Sequence, residues 1–150
     1  MGLDPEQQEN LYTTYWQKIE KTFEESGSLL FDKFIRDYLT VRTDKVPIFR
    51  NIYRDFKKYS GEYENIKLLV KDVFKFSKYF SCIAFGREQN AKLKEAMDSL
   101  SNMGYDVTYP FLLHLYKDYD AELLSADEFI EIIRYTESYL LRRIICNIPT

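Results

Sequence analysis

One histidine, two cysteines and a few clustered carboxylates are the side chains from which this chain could build catalysis or a metal site. His114 stands in Leu113-His114-Leu115, off the apolar face of its helix by angle. No Ser, Cys or carboxylate motif surrounds it, so it reads as a solvent-edge or partly packed histidine rather than a general base. Cys82 and Cys146 lie far apart and, with a single histidine, give no four-ligand zinc spacing. Both sit among apolar residues, which predicts packed thiols of raised pKa rather than reactive ones. Asp118, Asp120 and Glu122 match positions one, three and five of a calcium loop, but Leu123 takes the place of the turn glycine and Phe129 that of the bidentate Glu. Asp55-Phe56-Lys57 resembles half of a nuclease metal motif, yet it falls within a predicted helix and has no acidic partner on a strand. The five glycines are isolated, so neither a P-loop nor a dinucleotide fingerprint can be drawn from them. Neither a catalytic residue nor a metal or cofactor is expected in this chain.

Cations carry a more specific pattern. Between Lys33 and Lys58 there are eight basic and three acidic residues, a surplus of five positive charges; between Asp98 and Glu137 there are nine acidic and two basic, a surplus of seven negative ones. The overall charge of −3 conceals this polarity. Arg50, Arg54, Lys57 and Lys58 fall within about 100° of arc on one predicted helix. Lys67, Lys71, Lys75 and Lys78 do the same on the next, opposite Ile66, Leu69, Val70 and Val73. Such stripes are either the solvated backs of amphipathic helices or a surface that tracks phosphates, with salt-dependent and sequence-independent affinity.

The elements that carry these residues are helical throughout. A chain of 150 residues with 45% hydrophobic and 30% charged positions has the size and composition of one folded domain, and no stretch shows the alternation of a strand. Thirteen Tyr, eleven Phe and one Trp predict an aromatic core. Seven helices are expected. The first opens on Asp4 and Pro5, places Leu11, Tyr12, Tyr15, Trp16, Ile19 and Phe23 on one face, and stops at Ser26-Gly27-Ser28. The second covers Ser28 to Arg42, with Leu30, Phe31, Phe34, Ile35, Tyr38 and Leu39 inward and Asp32, Lys33, Arg36 and Asp37 outward. The third starts near Pro47, buries Phe49, Ile52, Tyr53 and Phe56, and stops at Ser60-Gly61; the fourth runs from Glu62 to Phe85. The fifth follows the break at Gly86, carries Leu93, Met97 and Leu100, and closes on a left-handed Gly104. The sixth begins at Thr108-Tyr109-Pro110 with Phe111, Leu112, Leu115, Tyr116 and Tyr119 inward. The seventh begins at a Ser125–Glu128 capping box, faces Phe129, Ile132, Ile133, Thr136, Tyr139 and Leu140 inward, and runs to Ile145. The fold class is all-α, a single irregular array without a sheet.

No signal peptide is evident, and no run approaches the roughly 18 apolar residues of a membrane span, which points to a cytoplasmic protein with no membrane partner. Met1-Gly2 lacks a myristoylation motif because Glu6 occupies its Ser/Thr position, and the close at Pro149-Thr150 reads as the edge of a fragment.

Two stretches are more distinctive than any periodicity: Phe31-Asp32-Lys33-Phe34-Ile35-Arg36-Asp37-Tyr38-Leu39-Thr40-Val41-Arg42-Thr43 with Lys45-Val46-Pro47 and Ile52-Tyr53-Arg54-Asp55-Phe56-Lys57, and the region from Tyr109-Pro110-Phe111 to Arg142-Arg143-Ile144-Ile145-Cys146-Asn147-Ile148-Pro149-Thr150. Together they resemble the helical region of GmrSD-like type IV, modification-dependent restriction endonucleases, over most of residues 11–150. That family joins a ParB-like N-terminal domain to an HNH-type nuclease domain, and the helical region lies between them. The family's Asp-Gly-Gln-Gln-Arg signature and its HNH histidines are absent from this sequence. Asp44 and Asn147 stand where glycine is expected, which bears on the turns rather than the fold. The resemblance implies a non-catalytic connector whose partners are the other domains of a parent enzyme that cleaves modified DNA, with DNA itself touched through the eight stripe cations. The alternative is a protein-interaction or oligomerisation module without DNA contact, suggested by the acidic C-terminal half and the aromatic content. A structural ion pair is expected between Asp37 and Arg143, because Arg143 falls by angle near the inward face of helix seven and a buried arginine needs a carboxylate.

Overall fold

The computed structural model describes residues 4–24 and 28–148. Within them the chain forms seven helices and no strand. They are α1 (5–24), α2 (Ser28–Thr43), α3 (Ile52–Gly61), α4 (Ile66–Phe85), α5 (Ala91–Asn102), α6 (Tyr109–Asp120) and α7 (Ala126–Ile145). Two compact units are distinguished, residues 1–80 and 81–150. The boundary falls inside α4, and each unit is described by itself.

The cap signals are realised as geometry. Asp4 accepts from the Gln7 amide at 2.8 Å with Pro5 opening α1, and Ser125 and Glu128 form a reciprocal capping box on α7. Gly104 takes φ +75° beyond α5. The expected stop of α1 at Ser26-Gly27, the Met1-Gly2 start and the Pro149-Thr150 end lie outside the described residues. Two starts differ from expectation. Pro47 lies in an extended link, and a 3-10 turn at Phe49–Asn51 leads into α3, because Ile48 at ψ 131° keeps the backbone out of the helical region. Helix α4 starts at Ile66 rather than Glu62, because the Asn65 side chain accepts from the Lys67 and Leu68 amides at 3.0 and 3.4 Å and sets the first turn there.

In the first unit the core is aromatic. Phe23 of α1 stacks on Phe34 of α2 with centroids 5.3 Å apart, Phe34 meets Phe80 edge-on at 5.5 Å, and Tyr38 meets Phe76 at 5.4 Å. Helix α1 reaches this core through an irregularity, a π-helical stretch at Tyr12–Trp16 between α-helical Pro5–Leu11 and Gln17–Glu24. A π-turn accommodates one extra residue, so Leu11 and Ile19, about 80° apart on a regular helix at eight residues' separation, come to within about 20°. Both are buried and Tyr12 is 47% exposed, which corrects its assignment to the inner face.

Other expected core residues are also on the surface. Tyr53 is 80% exposed and Phe49 45%; Ile52 is buried as expected and Phe56 half-buried, so the face that α3 turns inward is narrower than its apolar residues. In the second unit α7 packs along α5 and against α6. The buried face of α6 centres on Leu112 and Tyr116 and includes Leu113, leaving Phe111, about 100° from Leu112, 46% exposed. On α7 the buried line is Phe129, Ile133 and Leu140, which turns Tyr139 outward.

Candidate nucleic-acid interface

Lys67, Lys71, Lys75 and Lys78 are all exposed on α4, while Leu69, Val73 and Phe76 on the opposite side of the helix are buried. Ile66, expected among the inward residues, is partly exposed because it occupies the first, uncovered turn. The lysine face is bordered by rings on the α1 side. Tyr15 and Phe74 meet edge-on at 5.5 Å, Lys71 lies over the Tyr15 ring, and Lys78 and Lys18 lie over Phe74 at 4.5 and 5.9 Å. Each ring attracts an ammonium through its negative face while leaving the head group hydrated. Lys18 extends the patch, and sequence patterning gave no sign of it because it sits on another helix.

Asp72 borders the other flank. Arg42 of α2 grips it through Nε at 2.9 Å and through Nη2, and Tyr38 donates to it at 2.7 Å. A hydroxyl has one proton to give, so the Tyr38 bond to Asp72 orders the rest: Tyr59 donates to Tyr38 across a long 3.5 Å, and Tyr63 donates to Tyr59 at 2.8 Å. Burial first, and with it the charge of Asp72 and the bond that Tyr38 donates to this carboxylate, raise the Tyr38 hydroxyl far above its usual range; burial is also the main cause that pushes Tyr59 up to about 12. Burial lowers the Arg42 guanidinium, but its hydrogen bonds and ion pair with Asp72 outweigh this and hold it above its ordinary value. The carboxylate that organises three helices is the one acid amid four lysines, a position at which sequence suggests only surface charge.

The α3 cations divide. Arg50, Arg54, Lys57 and Lys58 are all exposed, but Arg54 and Lys58 turn toward a cleft of about 570 Å³ between α3, the end of α2 and the 44–48 link, whereas Arg50 and Lys57 do not line it. Arg54 also reaches Asp55 at 3.3 Å, a solvent-exposed pair of small energetic weight. Lys45 lines the same cleft. Of the remaining candidates, Asp37 is buried in the first unit, and Arg143 of the second is half-buried, donating to the Tyr139 hydroxyl at 2.8 Å and lying over that ring. His114 is on the surface, 3.9 Å from Asp118. Cys82 is half-buried and its thiol is pushed up by burial; Cys146, expected to be packed, is exposed where α7 ends and the chain turns into the left-handed Asn147. Among the described residues no helix is long and apolar enough to cross a membrane.

No family model, no curated protein and no solved structure matches this chain.

Proposed function

We propose that this chain is a non-catalytic helical domain of a modification-dependent DNA restriction enzyme, holding its parent's catalytic modules in register and contributing contacts to the DNA backbone. The sequence resemblance supports the parentage, and one observation supports the DNA contact: four lysines on the exposed face of a single helix, backed on one edge by Tyr15 and Phe74. From Lys67 to Lys78 the helix rises about 16 Å, a length of duplex axis that carries about ten phosphates, so all four ammonium groups can lie along one stretch of backbone.

The test is fluorescence anisotropy of labelled duplex DNA with the wild-type chain and with a Lys67→Glu, Lys71→Glu, Lys75→Glu variant. Binding that weakens with salt and disappears in the variant is the expected result. Equal binding by the two proteins, or none by either at low salt, removes the DNA contact from the proposal. A protein-contact role is favoured by a different observation, the exposed residues Leu141, Ile144, Ile145 and Ile148 at the end of α7. Self-association seen by light scattering and abolished by Ile145→Lys would support it.

A further inference from the structure

The cleft beside α3 is not needed for contacts along α4, and its lining has a chemistry of its own. Lys45, Arg54 and Lys58 bring three positive side chains to it from two segments. Val46 and Ile48, on the link that forms one wall, are 63% and 59% exposed, so this wall is aliphatic and uncovered. Asp55, which Arg54 reaches at 3.3 Å, and Glu62, just past the end of α3, add two carboxylates. The volume of about 570 Å³ suits a small organic molecule rather than a folded partner. Arg42, which also lines the cleft, is tied to Asp72, so the floor is held in place before any ligand arrives.

We propose that this cleft binds a nucleoside phosphate. Lys45, Arg54 and Lys58 take the phosphate through charge-assisted hydrogen bonds, the base lies against Val46 and Ile48, and the ribose hydroxyls donate to Glu62. Each part of the lining selects against a simpler ligand. A bare anion leaves the aliphatic wall without a purpose, an apolar molecule leaves the cations without one, and carboxylates among the cations suit a ligand that also carries donors. Recognition by side chains also accords with the absence of a glycine-rich phosphate loop from the sequence. Free nucleotides and nucleotides within a DNA strand offer the same chemistry.

The experiment is titration of the chain with the fluorescent nucleotide mant-ATP, followed by competition with ATP, with tripolyphosphate and with a single-stranded oligonucleotide. Saturable binding displaced by ATP is expected, and Lys58→Glu and Ile48→Asp should each weaken it about tenfold or more while Lys21→Glu leaves it unchanged. Both cleft positions are exposed, and thermal melts followed by circular dichroism establish that the variants fold. Displacement of mant-ATP by the oligonucleotide as well as by ATP assigns the site to a DNA strand; displacement by ATP alone assigns it to a free nucleotide. No binding, binding indifferent to both cleft variants, or displacement by tripolyphosphate as effective as by ATP overturns the proposal. Because Ile48→Asp spares the α4 lysines and the triple α4 variant spares the cleft, failure here is separable from failure of the backbone-contact reading.

Discussion

Asp44 adopts φ 55° directly after α2, its amide bonding back to the Thr40 carbonyl at 3.0 Å, the left-handed close of a helix that glycine fills without a Cβ penalty. Asp44→Gly should therefore stabilise the chain by about 1 kcal/mol, read as a higher urea midpoint at constant slope; a lower midpoint would mean that the aspartate contributes more than its strain costs. Asn147 and Glu122 make the fuller version of this close, with the following residue, Ile148 or Leu123, bonding back to Arg143 or Asp118 at 2.9 Å. Asp44 and Asn147 were legible as positions wanting glycine, but Glu122 was not, since nothing about a glutamate announces a positive φ. Tyr38 carries a second prediction. Tyr38→Phe removes a hydrogen bond to the Asp72 carboxylate, which is 21% exposed, and should cost about 1.5 kcal/mol in the same assay. The buried tyrosines also set an alkaline limit. An unfolded tyrosine loses its proton near pH 10, whereas Tyr59 in place holds it to about 12, so their contribution is complete below about pH 10 and declines as pH rises toward about 12. In a Tyr38→Phe, Tyr59→Phe variant the fall in urea midpoint across that window should be shallower; an unchanged fall would assign it to other groups, Tyr116 among them.

At the scale of elements, what sequence disclosed was where helices begin and end through side-chain caps, and what it concealed was how their faces are aimed. Asp4, Ser125 and Gly104 act locally, through bonds to backbone three or four residues away, and so can be read from spacing alone. Asn65 acts in the same way, but the Ser60-Gly61 stop of the preceding helix placed the expected start at Glu62. Phe49, Tyr53, Phe111 and Tyr139 fit the helical period and still lie outside, because the arc that packing covers is narrower than the arc that the apolar residues occupy. The π-stretch of α1 belongs to the same class of feature, since a surplus residue shows only when Leu11 and Ile19 have to share a core. It yields a direct test. Deleting the exposed Thr13 should leave a regular α-helix with Leu11 and Ile19 seven residues apart, still on one face, and a cooperative thermal transition. Deleting Lys75 from α4, which has no such surplus, should turn everything beyond it by about 100° and abolish the transition. Equal damage by both deletions would refute the account of the π-stretch. The candidate interface was legible in the same partial way: the α4 lysines are exposed as their spacing implied, but Lys18, Tyr15 and Asp72 come to them from other helices or from an unremarkable acid, and Arg54 and Lys58 prove to belong to a cleft whose Lys45 and Ile48 lie in a link with no periodicity at all.

At the scale of the molecule, a charge of −3 gives no general attraction to DNA, so any affinity must come from a local field and must respond steeply to salt. If all four α4 lysines neutralise phosphates, the logarithm of the binding constant should fall against that of salt with a slope of about −3.6, a loss of about two orders of magnitude between about 50 and about 200 mM. A slope near zero would refute the phosphate contact even where binding is seen. The aromatic wealth that builds the first unit has a further use. Trp16 is the sole tryptophan, placed at the end of the π-stretch with its indole donating to Glu20 at 3.0 Å and its ring edge-on to Phe31 of α2 at 6.3 Å. Its emission is therefore a natural optical gauge of the α1–α2 contact, with no counterpart in residues 81–150 to blur it. Fluorescence followed beside helical ellipticity through one denaturation shows, without any label, whether the chain melts as a single cooperative block or in two stages.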